Sequence, residues 1–357
     1  MSAAALWERL AADGLVEGDP SPPAEAPAPW YVRAMLGFAG WIAACFLMGF
    51  LGIALALGTN GAGAVPIGAA CCAGAFFLFR AFDGQDFVEQ LALAISLAGQ
   101  GLIAYGLHET FGSDGASLYL AFAVVEAVLV LAVPNFLHRV LAAAGAGGAV
   151  ALAFGDLELP GIASPFLCAA LAVIWLQPEL WARGGRLWRP IGYGVVLALL
   201  LTETFRLFDL GAELFGWRSA PPSWIALHGP LIGRVVAAGI LIFVALSLAA
   251  REGVARGSRL FLAVAGGAVL VALISIWAPG LAAALLILLL GFDAGSRLLQ
   301  GVGILSLLGF VSHFYYSLNA TLLAKSGLMA LAALLLLGLH FALRRLPAPP
   351  PLEPADA

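Results

Sequence analysis

The chain contains about a dozen apolar stretches, most of them long enough to cross a lipid bilayer as an α-helix. A crossing helix needs about 20 apolar residues, and its backbone N–H and C=O groups must be hydrogen-bonded within the protein. Hydrophobic residues make up 62% of the 357 positions and charged residues only 11%, against about 25% in an ordinary soluble domain. We therefore expect an all-α, polytopic transmembrane helical bundle.

The apolar stretches predict about twelve spans. They cover residues 34–58, 62–79, 87–107, 116–133, 137–155, 161–177, 190–206, 229–250, 260–277, 279–292, 297–317 and 321–343. The tenth is the weakest, because it is only about 21 Å long at about 1.5 Å per residue, and a re-entrant half-helix is the alternative.

The transmembrane domain is thus predicted over residues 34–343, between two tails. Residues 1–33 form an N-terminal tail in which residues 3–15 can make a short amphipathic helix before a proline-rich linker. The helix is either part of a mobile tail or an interfacial or partner-docking segment. Residues 344–357 form a proline-rich C-terminal tail.

The arginines predict the orientation, because short loops rich in Lys and Arg stay in the cytoplasm. With the N-terminus inside, the inner segments hold Arg9, Arg33, Arg80, Arg139, Arg183, Arg186, Arg189, Arg251, Arg256, Arg259, Arg297, Arg344 and Arg345. The other basic residues are Arg206, Arg218, Arg234 and Lys325. If the tenth stretch did not cross the membrane, Arg297, Arg344 and Arg345 would lie on the outer side. We therefore expect an even number of spans and two cytoplasmic termini.

Composition and motifs argue against several functional classes. The net charge is only −4, and the charged residues lie in tails and loops, so nucleic-acid binding is not indicated. The four cysteines, Cys45, Cys71, Cys72 and Cys168, lie in apolar stretches without the spacing of a zinc or redox motif. No span carries paired carboxylates or a metal-ligand cluster. We expect no metal, no cofactor and, on balance, no enzymatic activity.

Ionisable residues at membrane depth are the remaining candidates, since they are costly there and usually face a bundle interior or a watery cavity. Glu126 lies mid-span, whereas the others are predicted near the outer leaflet. That outer group contains Glu203, Arg206, Arg234, His313 and Lys325. Either the long basic side chains reach the headgroups, or the group lines an outward-facing cavity that accepts anions or moves protons.

The C-terminal segment 314–326 reads FYYSLNATLLAKS. It resembles the C-terminal signature YYxLxxTLLxKS of a bacterial membrane family, the domain-of-unknown-function (DUF) 4401 family. The matching positions are Tyr315, Tyr316, Leu318, Thr321, Leu322, Leu323, Lys325 and Ser326. The resemblance implies a multi-pass protein of the bacterial cytoplasmic (inner) membrane without an assigned reaction. It also implies a membrane-anchored protein partner with a GDYxxLxY-like motif.

Two functional classes fit these observations. A non-enzymatic scaffold or complex subunit fits a sequence without catalytic motifs, with small-residue packing faces and with an implied partner. A transporter-like carrier fits the number of spans and the intramembrane charges. The family resemblance makes the motif residues the first candidates for a functional role. They are Tyr315, Tyr316, Thr321, Lys325 and Ser326. The ionisable residues at membrane depth come second, and they are Glu126, Glu203, Arg234 and His313.

Overall fold

The computed structural model describes residues 63–82, 85–112, 115–208 and 224–317, together with scattered positions within 7–50 and 323–341. In these ranges the chain is all-helical and has no strand. The continuous ranges contain α1 (Ala64–Ala81), α2 (Asp86–Phe111), α3 (Ala116–Ala132), α4 (Phe136–Asp156), α5 (Ala163–Leu176), α6 (Pro178–Leu207), α7 (Trp224–Arg251), α8 (Arg259–Trp277), α9 (Leu281–Asp293) and α10 (Arg297–Ser317).

Each predicted span between residues 62 and 317 coincides with one of these helices, so the all-helical fold is confirmed. Of the ten helices in the described ranges, seven are long and apolar enough to cross a membrane, whereas α3, α5 and α9 are apolar but shorter. α9 runs antiparallel to α10. Gly280, just before α9, lies against Phe310 in the second half of α10, and Gly291, near the end of α9, lies against Gln300 at the start of α10. The first and last predicted spans lie mostly outside the described residues.

Helices α6 and α7 begin earlier than the predicted spans. α6 starts at Pro178, which suits the first turn of a helix because proline has no N–H to leave unpaired. It continues through a break at Gly184, whose φ of −147° and ψ of 35° are not helical. α7 starts at Trp224, whose ring stacks on His228. The length of an apolar stretch does not predict these first helical turns, because a helix can extend beyond the hydrocarbon region of the bilayer.

Glycines allow the helix backbones to approach closely. A Cβ atom at Gly68 of α1 would lie 2.5 Å from the carbonyl oxygen of Gly99 in α2, and one at Gly99 would lie 2.6 Å from the carbonyl oxygen of Gly68. Likewise, a Cβ atom at Gly194 of α6 would lie 2.6 Å from the carbonyl oxygen of Val140 in α4. Small residues are favoured at such crossings, because lipid supplies no hydrophobic force between helices.

Arginine side chains join the helix connections at one end of the bundle. Arg139 donates from Nη1 to the carbonyl oxygen of Arg186 at 3.1 Å. Arg251 donates to the carbonyl oxygen of Leu176 and lies 3.6 Å from the carboxylate of Asp293. The connections α3–α4, α5–α6, α7–α8 and α9–α10 therefore converge at a common, arginine-rich end.

The largest apolar core lies between α5, α6, α7 and α9. Its fully buried side chains include Leu171, Leu199, Val244, Leu286 and Leu290. These residues come from four helices that are not all consecutive, so the core joins the middle of the chain to its C-terminal part.

The Gly68–Gly99 crossing can be tested with Gly99→Ala. The added methyl group would meet backbone, which cannot rotate away, so we expect a loss of about 1–3 kcal/mol in stability and a lower thermal unfolding midpoint in detergent. Gly74→Ala, also in the α1–α2 pair, is the matched control because nothing lies within 4 Å of its added Cβ. Equal midpoints for the two variants would contradict the close crossing.

Candidate functional site

A cluster of buried polar side chains joins α2 and α4. Ser96, Gln100 and His138 are each at least nine-tenths buried. The Ser96 hydroxyl lies 2.8 Å from Nε2 of His138, and the Gln100 amide nitrogen lies 3.3 Å from both Ser96 Oγ and His138 Nε2. The Cys72 thiol of α1 donates to the carbonyl oxygen of Ser96 at 3.6 Å. Three helices therefore meet at this polar cluster.

The two ring nitrogens of His138 have different surroundings. Nε2 faces the Ser96 hydroxyl and the Gln100 amide nitrogen, which itself donates to Ser96 Oγ. Nδ1 is buried and has no hydrogen-bond partner among the described residues. On its other side, the ring makes an edge contact with Phe79 at 5.8 Å between centroids.

The polar cluster continues toward the arginine-rich end through Asn135. Its side-chain oxygen accepts from the backbone N–H of His138 at 3.0 Å and caps α4. Its side-chain nitrogen donates to Glu89 of α2 at 3.3 Å. Asn135 therefore fixes the start of α4 relative to α2 and holds the backbone that carries His138.

Glu126 is the most isolated of the predicted intramembrane residues. Its side chain is 1% exposed, and neither carboxyl oxygen has a hydrogen-bond partner among the described residues. Gly145 of α4 makes room for it, since a Cβ atom there would lie 3.2 Å from Glu126 Cδ. A carboxyl group in this position is costly and is a candidate for function by default.

Glu203 lies in a second buried group, between α5 and α6. It is 5% exposed, accepts a hydrogen bond from Ser164, and lies 4.0 Å from Arg206 one turn along α6. The Cys168 thiol lies beside the same pair. This carboxylate thus has both a hydroxyl donor and a basic neighbour, unlike Glu126.

The remaining predicted residues of the outer group make separate contacts. Arg234 donates from Nη1 to the carbonyl oxygen of Ile276 at 3.3 Å, near the C-terminus of α8, where a cation is favoured. His313 packs edge-on against Phe208 at 5.2 Å between centroids. Among the described residues, no contact joins either of them to Glu203. Lys325 lies outside the described residues.

The C-terminal motif is described only in part. Tyr315 and Tyr316 end α10 with their rings edge-to-face at 5.4 Å, and Tyr316 is 80% exposed. Ser326 donates to the carbonyl oxygen of Leu323 at 2.9 Å. Thr321 and Lys325 lie outside the described residues. Their importance stays a prediction.

A cavity of about 1120 Å³ opens beside the polar cluster at the arginine-rich end. Its described lining has charged side chains from α1, α2, α4 and α6. They are Arg80, Glu89, Arg139, Arg186 and Arg189. A smaller cavity of about 460 Å³ shares Trp181 and Arg189 with it. The described residues contain no group of three or more His, Cys, Asp or Glu placed to hold a metal ion.

Comparison with protein families decides the affiliation of the chain. The family described as Domain of unknown function (DUF4401) matches residues 29–346. The chain belongs to the DUF4401 family. This confirms the resemblance drawn from the sequence, and the matched range includes the polar cluster, the cavity and the C-terminal motif. No curated protein and no solved structure gives a significant match to this DUF4401 protein.

Sequence reasoning missed Ser96, Gln100, His138 and Ser164. The available signal was weak. Ser96 and Gln100 are four residues apart in the apolar middle of α2, which places them on one face, and Asn135 three residues before His138 suits a helix cap. Neither pattern reveals that α2 and α4 of this DUF4401 protein bring these residues together.

The hydrogen bond between Ser96 and His138 can be tested with Ser96→Ala. The change removes the hydroxyl that lies 2.8 Å from the buried imidazole nitrogen, so we expect the free energy of unfolding to fall by about 1–3 kcal/mol. Thermal unfolding in detergent measures the effect. Ser306→Ala is the control, because the Ser306 hydroxyl bonds only the carbonyl oxygen of Val302 one turn earlier in α10. If both variants unfold like the wild type, the bond contributes nothing to stability.

Proposed function

We propose that this protein is a non-enzymatic scaffold of a membrane complex, and that α8 is the helix that binds the partner. The observation that carries the proposal is the low burial of α8. Only 11% of its most apolar segment is buried within the structure, compared with 50% for α2. Its exposed side chains include Leu262, Leu270 and Trp277. Lipid can cover such a face, and so can another transmembrane helix.

The glycines of α8 favour a helix as the partner. In α1 and α2, Gly68 and Gly99 lie against another helix of the chain, whereas nothing lies within 4 Å of a Cβ atom added at Gly266 or Gly267. Small residues let another helix backbone approach closely in a membrane. Gly266 lies one turn from the exposed Leu262 and Leu270, so it is the glycine on the open face of α8, whereas Gly267 lies one turn from Val271, which packs against the core.

The described interior also favours a structural role. Leucine, isoleucine and alanine side chains fill the space between α5, α6, α7 and α9. The buried Glu203 is paired with Ser164 and with Arg206. Both cavities described above lie at the arginine-rich end. A bundle core filled with apolar side chains is suited to holding helices in fixed positions.

We further propose that the protein lies in a bacterial inner membrane with twelve spans and two cytoplasmic termini. The grouping of Arg139, Arg186 and Arg251 at one end of the bundle supports this orientation, because basic connections stay on the cytoplasmic side. The partner proposed is the membrane-anchored protein that the family resemblance implies.

The scaffold role can be tested by purifying the tagged full-length protein from its native membrane in mild detergent, with mass spectrometry of the co-purifying proteins. We expect a membrane-anchored protein in stoichiometric amount, and we expect Gly266→Leu to remove it by blocking close approach to α8. Gly74→Leu in α1 is the control, since it also adds a side chain at an exposed glycine with nothing within 4 Å. A wild-type protein that purifies alone, or a partner retained by Gly266→Leu, would contradict the proposal.

A carrier is the second candidate, and Glu126 is the observation that favours it. A buried carboxyl group without a hydrogen-bond partner among the described residues is a typical element of a proton relay in transporters. On this hypothesis Glu126 would bind and release a proton during transport.

Proton flux into liposomes separates the two candidates. We expect vesicles containing the wild-type protein to dissipate a pH gradient no faster than empty vesicles, as for a scaffold. A faster flux that Glu126→Gln abolishes would favour the carrier instead. Glu109→Gln provides the control, because Glu109 lies exposed near the end of α2. A pH-sensitive dye inside the vesicles measures the flux.

A further inference from the structure

The cavity at the arginine-rich end has an excess of positive charge. Among the described residues, its charged lining consists of four arginines and one glutamate, Glu89. The carboxylate of Glu89 already accepts a hydrogen bond from Asn135. These described lining residues carry a formal charge of about +3 around a volume of about 1120 Å³, which is large enough for a ligand of moderate size.

Two of the arginines have fixed structural roles. Arg139 donates from Nε to the carbonyl oxygen of Val130 at 3.0 Å and from Nη1 to that of Arg186 at 3.1 Å. Arg80 lies over the ring of Phe76, with Cζ 4.8 Å from the ring centroid. These contacts hold positive charge beside the cavity without neutralising it.

The other two arginines are available to a ligand. Arg186 and Arg189 are exposed side chains one turn apart on α6. Neither guanidinium group has a hydrogen bond or ion pair to the described part of the chain. Guanidinium groups bind phosphate oxygens through paired N–H donors, which makes arginine better suited than lysine to this task.

The backbone around the cavity is also suited to an anion. The lining includes Asn135 and Phe136 at the start of α4, where helix N–H groups and the helix dipole favour negative charge. Gly184 and Gly185 line it as well, at the break in α6. A Cβ atom at Gly185 would meet nothing within 4 Å, so a ligand can approach the backbone there.

We propose that this cavity binds a phosphate-bearing anion through Arg186 and Arg189. A membrane supplies this chemistry as the headgroup of an anionic phospholipid, and the aqueous phase supplies it as soluble phosphate. Basic pockets between transmembrane helices are known to bind anionic headgroups. The apolar lining residues Phe79, Leu187 and Pro190 lie beside the basic groups, as an amphipathic ligand requires. The proposal does not depend on the scaffold role of α8.

Thermal stability of the purified full-length protein tests the proposal. The probes are phosphatidylglycerol in mixed micelles, phosphatidylcholine in equal amount, and inorganic phosphate. We expect phosphatidylglycerol to raise the unfolding midpoint more than phosphatidylcholine does. We expect the double variant Arg186→Gln, Arg189→Gln to require roughly tenfold more phosphatidylglycerol for the same shift, which corresponds to about 1.4 kcal/mol of binding free energy.

Arg256→Gln is the matched control, since Arg256 is exposed on the α7–α8 connection at the same end but does not line the cavity. It should respond to the lipid like the wild type. A response to inorganic phosphate that the double variant loses would support the same site with a soluble ligand. If the double variant folds and all three proteins respond equally to every probe, the proposal is wrong. Native mass spectrometry of retained lipid gives an independent reading.

Discussion

In a lipid bilayer a protein has no surrounding water to satisfy its backbone polar groups, and lipid gives its helices no hydrophobic reason to associate. The described fold meets both conditions. Its backbone is helical, and its helices are held together by close backbone contacts such as the Gly68–Gly99 crossing and by buried polar contacts such as Ser96 with His138. Packing in this protein therefore depends on small residues and on a few hydrogen bonds.

Charged side chains join the ends of the helices, whereas small residues and buried polar side chains join their middle parts. Arg139 and Arg251 bind main-chain carbonyl groups of other connections, so these side chains have structural roles in addition to their effect on topology. Arg186 and Arg189 lack such bonds within the described residues and line the cavity. Arginine thus stabilises the fold at some positions and remains available to bind a ligand at others.

The sequence predicted each helix between residues 62 and 317, because the length of an apolar stretch is a local property of the chain. It did not predict which helices pack together, since that depends on side chains distant in sequence. Ser96 and His138 are therefore paired only in the structure, whereas Glu126 was recognisable as a lone charge in an apolar span. The sequence grouped Glu203, Arg234 and His313, yet their described contacts are separate. Thr321 and Lys325 stay predictions.

The contact between Ser96 and His138 has a consequence for how the protein is made. Ser96 and Gln100 enter the membrane with α2, but their partner follows 42 residues after Ser96 on α4. Polar side chains in hydrocarbon are unfavourable until they are hydrogen-bonded. During synthesis α2 is therefore expected to stay beside the insertion machinery until α4 arrives with His138.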